Sequence, residues 1–396
     1  MASDSASRDP ILKQLRRVDD EGWFVLEFDN GYTGRYPYVW MRDNCRCSAC
    51  YHPSSWQRTS HVANLDPEVL ASREEIRADG AVLAVDWSDG HRSEFQAEWL
   101  NRQRFAESVT DHVEGQELQT WGAEMSSEVA RFDFQRLLVD EVERYKWLSQ
   151  LFTKGIALVQ GAPCQVGTIG QLAKSVAYLR TTCYGDTFQV FSKPSASSIA
   201  FTPKSLGLHI DLLFYEYCPG IQMLHCIQQA GEGGDSQFVD GLNIAEQLRR
   251  DHPAEYQLLR TLQIDFRDAG DDYINYHLKT RRPMIQYDRH GKFQAINYSD
   301  HCRSTELNIP VEDVKKLYKA IKVFNTVMYR PENVFRHRLA AGEIITFSNG
   351  RVMHGRSAFK LVGSQARHLE GGYFDWDEGK SAMRLLREKL YGEKRL

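Results

Sequence analysis

Apolar positions along this chain recur at two periods, and the places where one gives way to the other divide it into elements. From Trp23 the run Trp23-Phe24-Val25-Leu26-Glu27-Phe28 alternates and then meets Asp29-Asn30-Gly31, which predicts a strand closing in a turn. Ala81-Val82-Leu83-Ala84-Val85-Asp86-Trp87, followed by Ser88-Asp89-Gly90, repeats that arrangement, and together they describe a small β-rich module ending near Trp99. The stretch 101–130 is polar with weak periodicity and reads as a connection. Helical spacing starts at about Phe134, where Leu137, Leu138, Val142, Tyr145, Leu148 and Phe152 form an apolar stripe stopped by Lys154 and Gly155. Residues 155–159, Gly-Ile-Ala-Leu-Val, then read as the first buried strand of a larger domain.

Further along, 245–262 is helical with a break around Asp251-His252-Pro253. The stretch 311–328 is amphipathic through Val314, Leu317, Ile321, Phe324 and Met328, and 381–391 is a last helix through Met383, Leu386 and Leu390. Between the helices lie a half-buried pattern at 221–227 and a strand-like run at 343–347, consistent with an antiparallel, jelly-roll-like sheet. The expected fold is therefore mainly β with flanking helices. Residues 1–100 are the small module, 101–130 the connection and 131–396 the larger domain.

A length of 396 residues suits one large domain plus an appendage. The net charge of -4, with both signs interspersed, exerts no general pull toward nucleic acid or an anionic membrane, so small molecules are the expected partners. No apolar run reaches the roughly 18 residues that cross a bilayer, and Met1-Ala2-Ser3-Asp4-Ser5 lacks the features of a secretory signal, so a cytoplasmic location is expected. In such a reducing compartment the crowding of Cys45, Cys47 and Cys50 favours metal over disulfide.

Three thiolates within six residues need one more donor for a closed tetrahedral zinc site, whose role would be structural. His52 and His61 are near in sequence. His91 is the better candidate, because a ligand from a separate strand ties together a module too small to build a large core. The alternative is a set of free cysteines in a loop.

The second constellation is His209 and Asp211, in Leu208-His209-Ile210-Asp211-Leu212, with His354 far downstream. Among thirteen histidines roughly one His-x-Asp arises by chance, so the tripeptide gains weight only from the strand-like segments around it. Two imidazoles and one carboxylate on one face of iron(II) leave three positions for a keto acid and dioxygen. The distal carboxylate of that keto acid needs a guanidinium fork, for which Arg367, Arg356 and Arg351 compete.

The Cys-x-Cys-x-x-Cys cluster after Met41-Arg42-Asp43-Asn44, the phrases Ser93-Glu94-Phe95-Gln96-Ala97 and Tyr145-Lys146-Trp147-Leu148-Ser149, and Gly233-Gly234-Asp235-Ser236 belong together with His354-Gly355-Arg356 and Arg367-His368-Leu369-Glu370-Gly371. Over nearly the whole chain they resemble the γ-butyrobetaine dioxygenase family. The resemblance implies a zinc module followed by a double-stranded β-helix domain that uses iron(II), 2-oxoglutarate and dioxygen, with ascorbate as reductant, in a homodimer. It implies zinc on Cys45, Cys47, Cys50 and His91, iron on His209, Asp211 and His354, and 2-oxoglutarate on Arg367 aided by Ser236.

The implied reaction hydroxylates a trimethylammonium acid, γ-butyrobetaine, to L-carnitine. A quaternary ammonium has no N–H to donate, so aromatic faces must hold it. By resemblance that box falls on Tyr184, Phe188, Phe201 and Tyr373, with phenylalanine at 188 and 201 where tryptophan and tyrosine are expected. Contacts to the substrate carboxylate fall on Ser198, Leu212 and Ser299, where amides or a phenol are expected. Leucine cannot donate a hydrogen bond, which opens trimethyllysine, a trimethylammonium phosphonate or another betaine as alternatives. A rival from another class is a zinc-dependent binding module with an inactive iron site, which predicts zinc without affinity for iron or oxoglutarate.

Overall fold

The computed structural model describes residues 9–105, 111–191, 202–360 and 367–392. The chain forms two compact units, Met1–Asp111 and His112–Leu396.

In the first unit, strands Leu12–Val18, Trp23–Phe28 and Thr33–Pro37 make one antiparallel sheet, and Ala71–Arg77, Val82–Trp87 and Arg92–Gln96 make a second. The alternation noted at Trp23 has its physical cause here: Phe24, Leu26 and Phe28 point to the core shared with Leu83, Val85, Trp87 and Phe95. Two polar groups of this core are paired: Trp87 Nε1 donates to Ser93 Oγ (2.9 Å) and the Tyr36 hydroxyl to the Leu100 carbonyl (2.6 Å).

The second unit is built on two sheets. The larger has the order Thr187–Phe191, His368–Phe374, Ile221–Gln228, Ile344–Ser348, Ile156–Gln160, Arg131–Asp133. The smaller has the order Leu206–His209, Val352–Arg356, Ser236–Asp240, Phe335–His337. Their inner faces share one core, in which Leu158, Cys226, Ile345, Phe347 and Leu369 of the large sheet meet Phe238, Phe335 and Val352 of the small one. Phe238 and Phe347 touch across it edge to face at 5.6 Å. The outer face of the large sheet is covered by helices Glu141–Thr153 and Trp376–Tyr391 through Trp147, Leu148, Leu151 and Met383. Ile221–Gln228 is thus buried on both faces, and its apparent half-burial in sequence reflects Gln222 and His225, two polar residues that are themselves inside.

Helix Val311–Met328 has the predicted limits, and the break at His252 separates Gly241–Asp251 from Pro253–Thr261. The stripe from Phe134 is two helices, Phe134–Val139 and Glu141–Thr153, because Asp140 ends the first and caps the second, accepting from Val142 N (2.9 Å) and Glu143 N (3.2 Å). That cap resets the helical phase, so Val142 is exposed while Trp147 and Leu151 are buried. Gly155 ends the helix at φ +79°, as expected of a left-handed stop. The stretch 101–130 is anchored at wide intervals by buried Val113, Trp121, Met125 and Val129, too sparse to give a period. The hairpin Gln263–Asp271 with Asn275–Pro283 carries mostly polar residues, and its apolar alternation is brief, through the buried Ile264 and Phe266. Among the described residues no helix is long and apolar enough to cross a membrane.

Candidate active site

Strand pairing explains how residues 145 positions apart in the chain come together. In the small sheet His209 lies directly opposite His354, and their ring centroids are 4.3 Å apart. Asp211, just beyond the end of its strand, turns its Oδ1 to 3.0 Å from His209 Nε2 and 3.7 Å from His354 Nε2. All three ligating atoms lie within 4.8 Å of one another. His209 Nδ1 donates to the Gly207 carbonyl (2.8 Å), which directs Nε2 at the other two, protonated against the Asp211 carboxylate in the metal-free protein and a lone-pair donor once a metal displaces that proton.

The electrostatics suit a cation. Burial opposes charge on both rings, yet the Asp211 carboxylate beside His209 holds that imidazole above its ordinary range, while His354 falls to about 3 from burial and from the charge on His209. Asp211 is held well below the usual carboxylate range: burial works against this, but His354, His209 and the Tyr373 hydroxyl outweigh it. A half-buried carboxylate facing two buried imidazoles is a donor set fit for a divalent transition metal with open positions.

Beside this face stand two desolvated cations. Arg356 is two residues beyond His354 on the same face of its strand, and its Nη2 donates to the carbonyls of Thr202 (2.7 Å) and Lys204 (2.6 Å). Arg367 is 4% exposed, and its guanidinium is pulled down to about 10 by burial and by the proximity of Arg356. Both guanidinium groups lie over the Phe359 ring, at 4.7 and 5.4 Å. Ser236 is buried opposite Arg356 in the sheet, and a Cβ on Gly234 would sit 3.4 Å from Arg367 Nε. Arg351 is engaged elsewhere, clasping Asp240 with Nε–Oδ1 and Nη2–Oδ2 at 2.8 and 2.9 Å.

Of the aromatic positions, Tyr184, Phe188 and Tyr373 come together, with Phe188 stacked on Tyr373 at 5.5 Å and Tyr184 at 6.1 Å from Phe188. Phe201 and Ser198 lie outside the described residues. Leu212 is buried beside this cluster in a left-handed conformation (φ +57°), and Ser299 is buried, its hydroxyl engaging Cys302.

Several contributors carry no motif signal. Tyr276 and Phe214 extend the aromatic cluster, stacked on each other at 6.3 Å. Gln222 Nε2 and the Tyr373 hydroxyl both donate to Asp211 Oδ2, each at 2.7 Å. Asn349, fully buried, accepts from Asp211 N (3.1 Å) and donates to the carbonyls of Asp211 (3.1 Å) and Pro219 (3.0 Å). The only sequence hint was an amide in the otherwise apolar start Ile221-Gln222-Met223.

The first unit holds a separate cluster. His91 Nε2 lies 3.2 Å from Cys45 Sγ and 3.6 Å from the sulfurs of Cys47 and Cys50. Tetrahedral zinc with ordinary Zn–S and Zn–N bonds requires S···N separations of about 3.5 Å. His52 is exposed and bonded to Ser55, and His61 is exposed, so neither joins the cluster. Burial and the neighbouring thiols push Cys50 up to about 11, a cost that a bound cation removes. Asp89 steadies His91 by accepting from its backbone N (3.0 Å) while pairing with Arg42 (2.7 Å).

Two matches define the class. Residues 114–373 match the taurine catabolism dioxygenase TauD, TfdA family, and residues 15–101 match the γ-butyrobetaine hydroxylase-like, N-terminal family. The chain is an enzyme, a 2-oxoglutarate-dependent dioxygenase. It is 36% identical to the γ-butyrobetaine dioxygenase of Homo sapiens over 90% of this chain and 92% of that protein. Identity to the mitochondrial trimethyllysine dioxygenase of Homo sapiens is 29%, over 92% of this chain and 86% of that one. The solved structure of AAD-2 in complex with Mn(II) and N-oxalylglycine shares the fold, with a TM-score of 0.50 at 13% identity over 65% of this chain and 96% of that chain. The chain belongs to the γ-butyrobetaine dioxygenase family.

Proposed function

We propose that this enzyme hydroxylates γ-butyrobetaine to L-carnitine, with iron(II) on His209, Asp211 and His354 and 2-oxoglutarate anchored by Arg367. The observation that carries the reading is the junction at Asp211: its Oδ1 faces two imidazoles while its Oδ2 accepts from Tyr373, a member of the aromatic cluster. The two facing sheets are read as a double-stranded β-helix formed by the His112–Leu396 unit, and the preceding unit as a zinc module closed by Cys45, Cys47, Cys50 and His91.

Iron bound there supplies the redox chemistry that couples oxidation of 2-oxoglutarate by dioxygen to hydroxylation of the substrate. The chain's residues do the rest. Arg367 grips the distal carboxylate of 2-oxoglutarate, with Ser236 as a hydroxyl donor and Arg356 adding positive field. Tyr184, Phe188 and Tyr373 hold the trimethylammonium group by their π-faces, and fixing the cationic end fixes which carbon faces the metal. Ascorbate as reductant, a homodimer and a cytoplasmic setting complete the proposal.

Leu212 and Ser299 favour a second reading, another trimethylammonium compound such as trimethyllysine, because neither offers the amide or phenol expected at an acid end. The deciding experiment is a 2-oxoglutarate turnover screen of the iron-loaded enzyme against γ-butyrobetaine, trimethyllysine and other betaines, reading succinate with hydroxylated product. Succinate release stimulated first by γ-butyrobetaine supports the main reading. Stimulation by trimethyllysine alone transfers the substrate, and no response to any trimethylammonium compound overturns both.

A further inference from the structure

Asp211 does not orient its own carboxylate. It follows the edge strand Leu206–His209 of the small sheet, yet both donors to its Oδ2 come from the large sheet, where Gln222 and Tyr373 are cross-strand partners with side chains on the inner face. Two short bonds to a carboxylate oxygen are of the strong, charge-assisted kind. They occupy Oδ2 and leave Oδ1 to face His209 and His354. A carboxylate so held binds a metal through one oxygen, and that matters for the ligand count: a second oxygen on the metal would remove one of the three positions that a chelating keto acid and dioxygen need.

The two donors differ in what else they touch. Gln222 is buried within its strand, and its Oε1 has no partner among the described residues. Tyr373 is buried as well, but its ring is stacked under Phe188 at 5.5 Å and an interplanar angle of 27°. Phe188 in turn lies flat against Gly371, so closely that a Cβ there would overlap its ring. Glycine at 371 therefore lets Phe188 press on Tyr373, and Tyr373 on the metal-facing carboxylate.

Resting on the iron and 2-oxoglutarate reading of the site, we propose that Tyr373 is a positioning residue that couples occupancy of the aromatic pocket to the orientation of Asp211, with Gln222 as the fixed second donor. Cation seated against Phe188 steadies the ring beneath it, and the hydroxyl of that ring keeps Asp211 bound through one oxygen. Substrate binding and metal geometry are linked through a single side chain.

The test uses three variants of the full chain, each checked for a wild-type melting profile. Tyr373→Phe keeps the ring and removes one charge-assisted bond, so anaerobic titration with iron(II) is expected to give about tenfold weaker binding. The same variant should form succinate with a product-to-succinate ratio below half the wild-type value, while the KM for γ-butyrobetaine changes less than threefold. Gln222→Met should weaken iron(II) similarly yet keep the wild-type ratio, because it does not touch the pocket. Phe188→Leu, which loosens the ring above Tyr373 but keeps its hydroxyl, should raise the KM and weaken iron(II) by less than Tyr373→Phe does.

Wild-type iron affinity and an unchanged ratio in Tyr373→Phe would overturn the proposal, as would a rise in KM alone matching that of Phe188→Leu. If the wild type does not turn over γ-butyrobetaine, the substrate reading fails. The iron titrations of Tyr373→Phe and Gln222→Met, which need no substrate, still decide the positioning role.

Discussion

Arg367→Met has an outcome that separates a site built for an anion from a merely buried ion. Burial and the neighbouring Arg356 hold the Arg367 guanidinium down to about 10 from an ordinary 12.5, so its charged form is disfavoured by roughly 3 kcal/mol in the ligand-free protein. A carboxylate gripped by that fork recovers the cost, and removing one partner of a buried pair costs about 3–5 kcal/mol. Methionine fills similar space without charge. The variant should therefore bind 2-oxoglutarate at least about a hundredfold more weakly. Its ligand-free form should melt at or above the wild-type temperature, with each kcal/mol worth about 2–4 °C in a unit of this size. The assays are succinate formation against 2-oxoglutarate concentration and thermal melting with and without 2-oxoglutarate. A KM for 2-oxoglutarate within threefold of wild type, or a ligand-free variant that melts several degrees lower while keeping the ligand-induced shift, refutes the assignment.

Cys45→Ser, or prolonged chelation, should release one zinc per chain by elemental analysis and unfold the Met1–Asp111 unit, seen as loss of near-ultraviolet tryptophan signal from Trp87, since structural zinc supplies about 10 kcal/mol or more of folding free energy in small modules. Leu212→Asn places at φ +57° a residue that tolerates left-handed backbone, and adds a donor beside the aromatic cluster. It should lower the KM for a substrate with a carboxylate terminus by about three- to tenfold, at about 1 kcal/mol per hydrogen bond, and lower the melting temperature, because the loss of a buried leucine side chain outweighs the relief of left-handed backbone. In the metal-free protein His209 is raised above its ordinary 6.5, so its pair with Asp211 stabilises the fold fully below 6.5 and loses that contribution as pH rises through the folded-state value. The difference in melting temperature between metal-free wild type and His209→Gln should therefore shrink as pH rises across that window, while iron(II) affinity grows because the ligand must be neutral.

The sequence by itself determined the local matters, where physical cause and residue are neighbours. Alternation at Trp23 and Val82, the stop at Gly155 and the helix Val311–Met328 are all consequences of side-chain period and backbone freedom within a few residues. The spacing of Cys45, Cys47 and Cys50 likewise gathers three sulfurs within reach of one another. Only the tertiary structure decided which distant groups share a site. The pairing of His209 with His354 depends on strand register, the withdrawal of Arg351 from the candidate arginines on the claim that Asp240 makes on it, and the grouping of His91 rather than His52 with the cysteines on a strand arriving from elsewhere. Gln222, Asn349 and Tyr276 were invisible for the same reason: an amide or a phenol in a strand or turn acquires its role from what the opposite sheet brings to it. Register and sheet packing are set by the summed burial of the whole core, a quantity that no short window of residues contains.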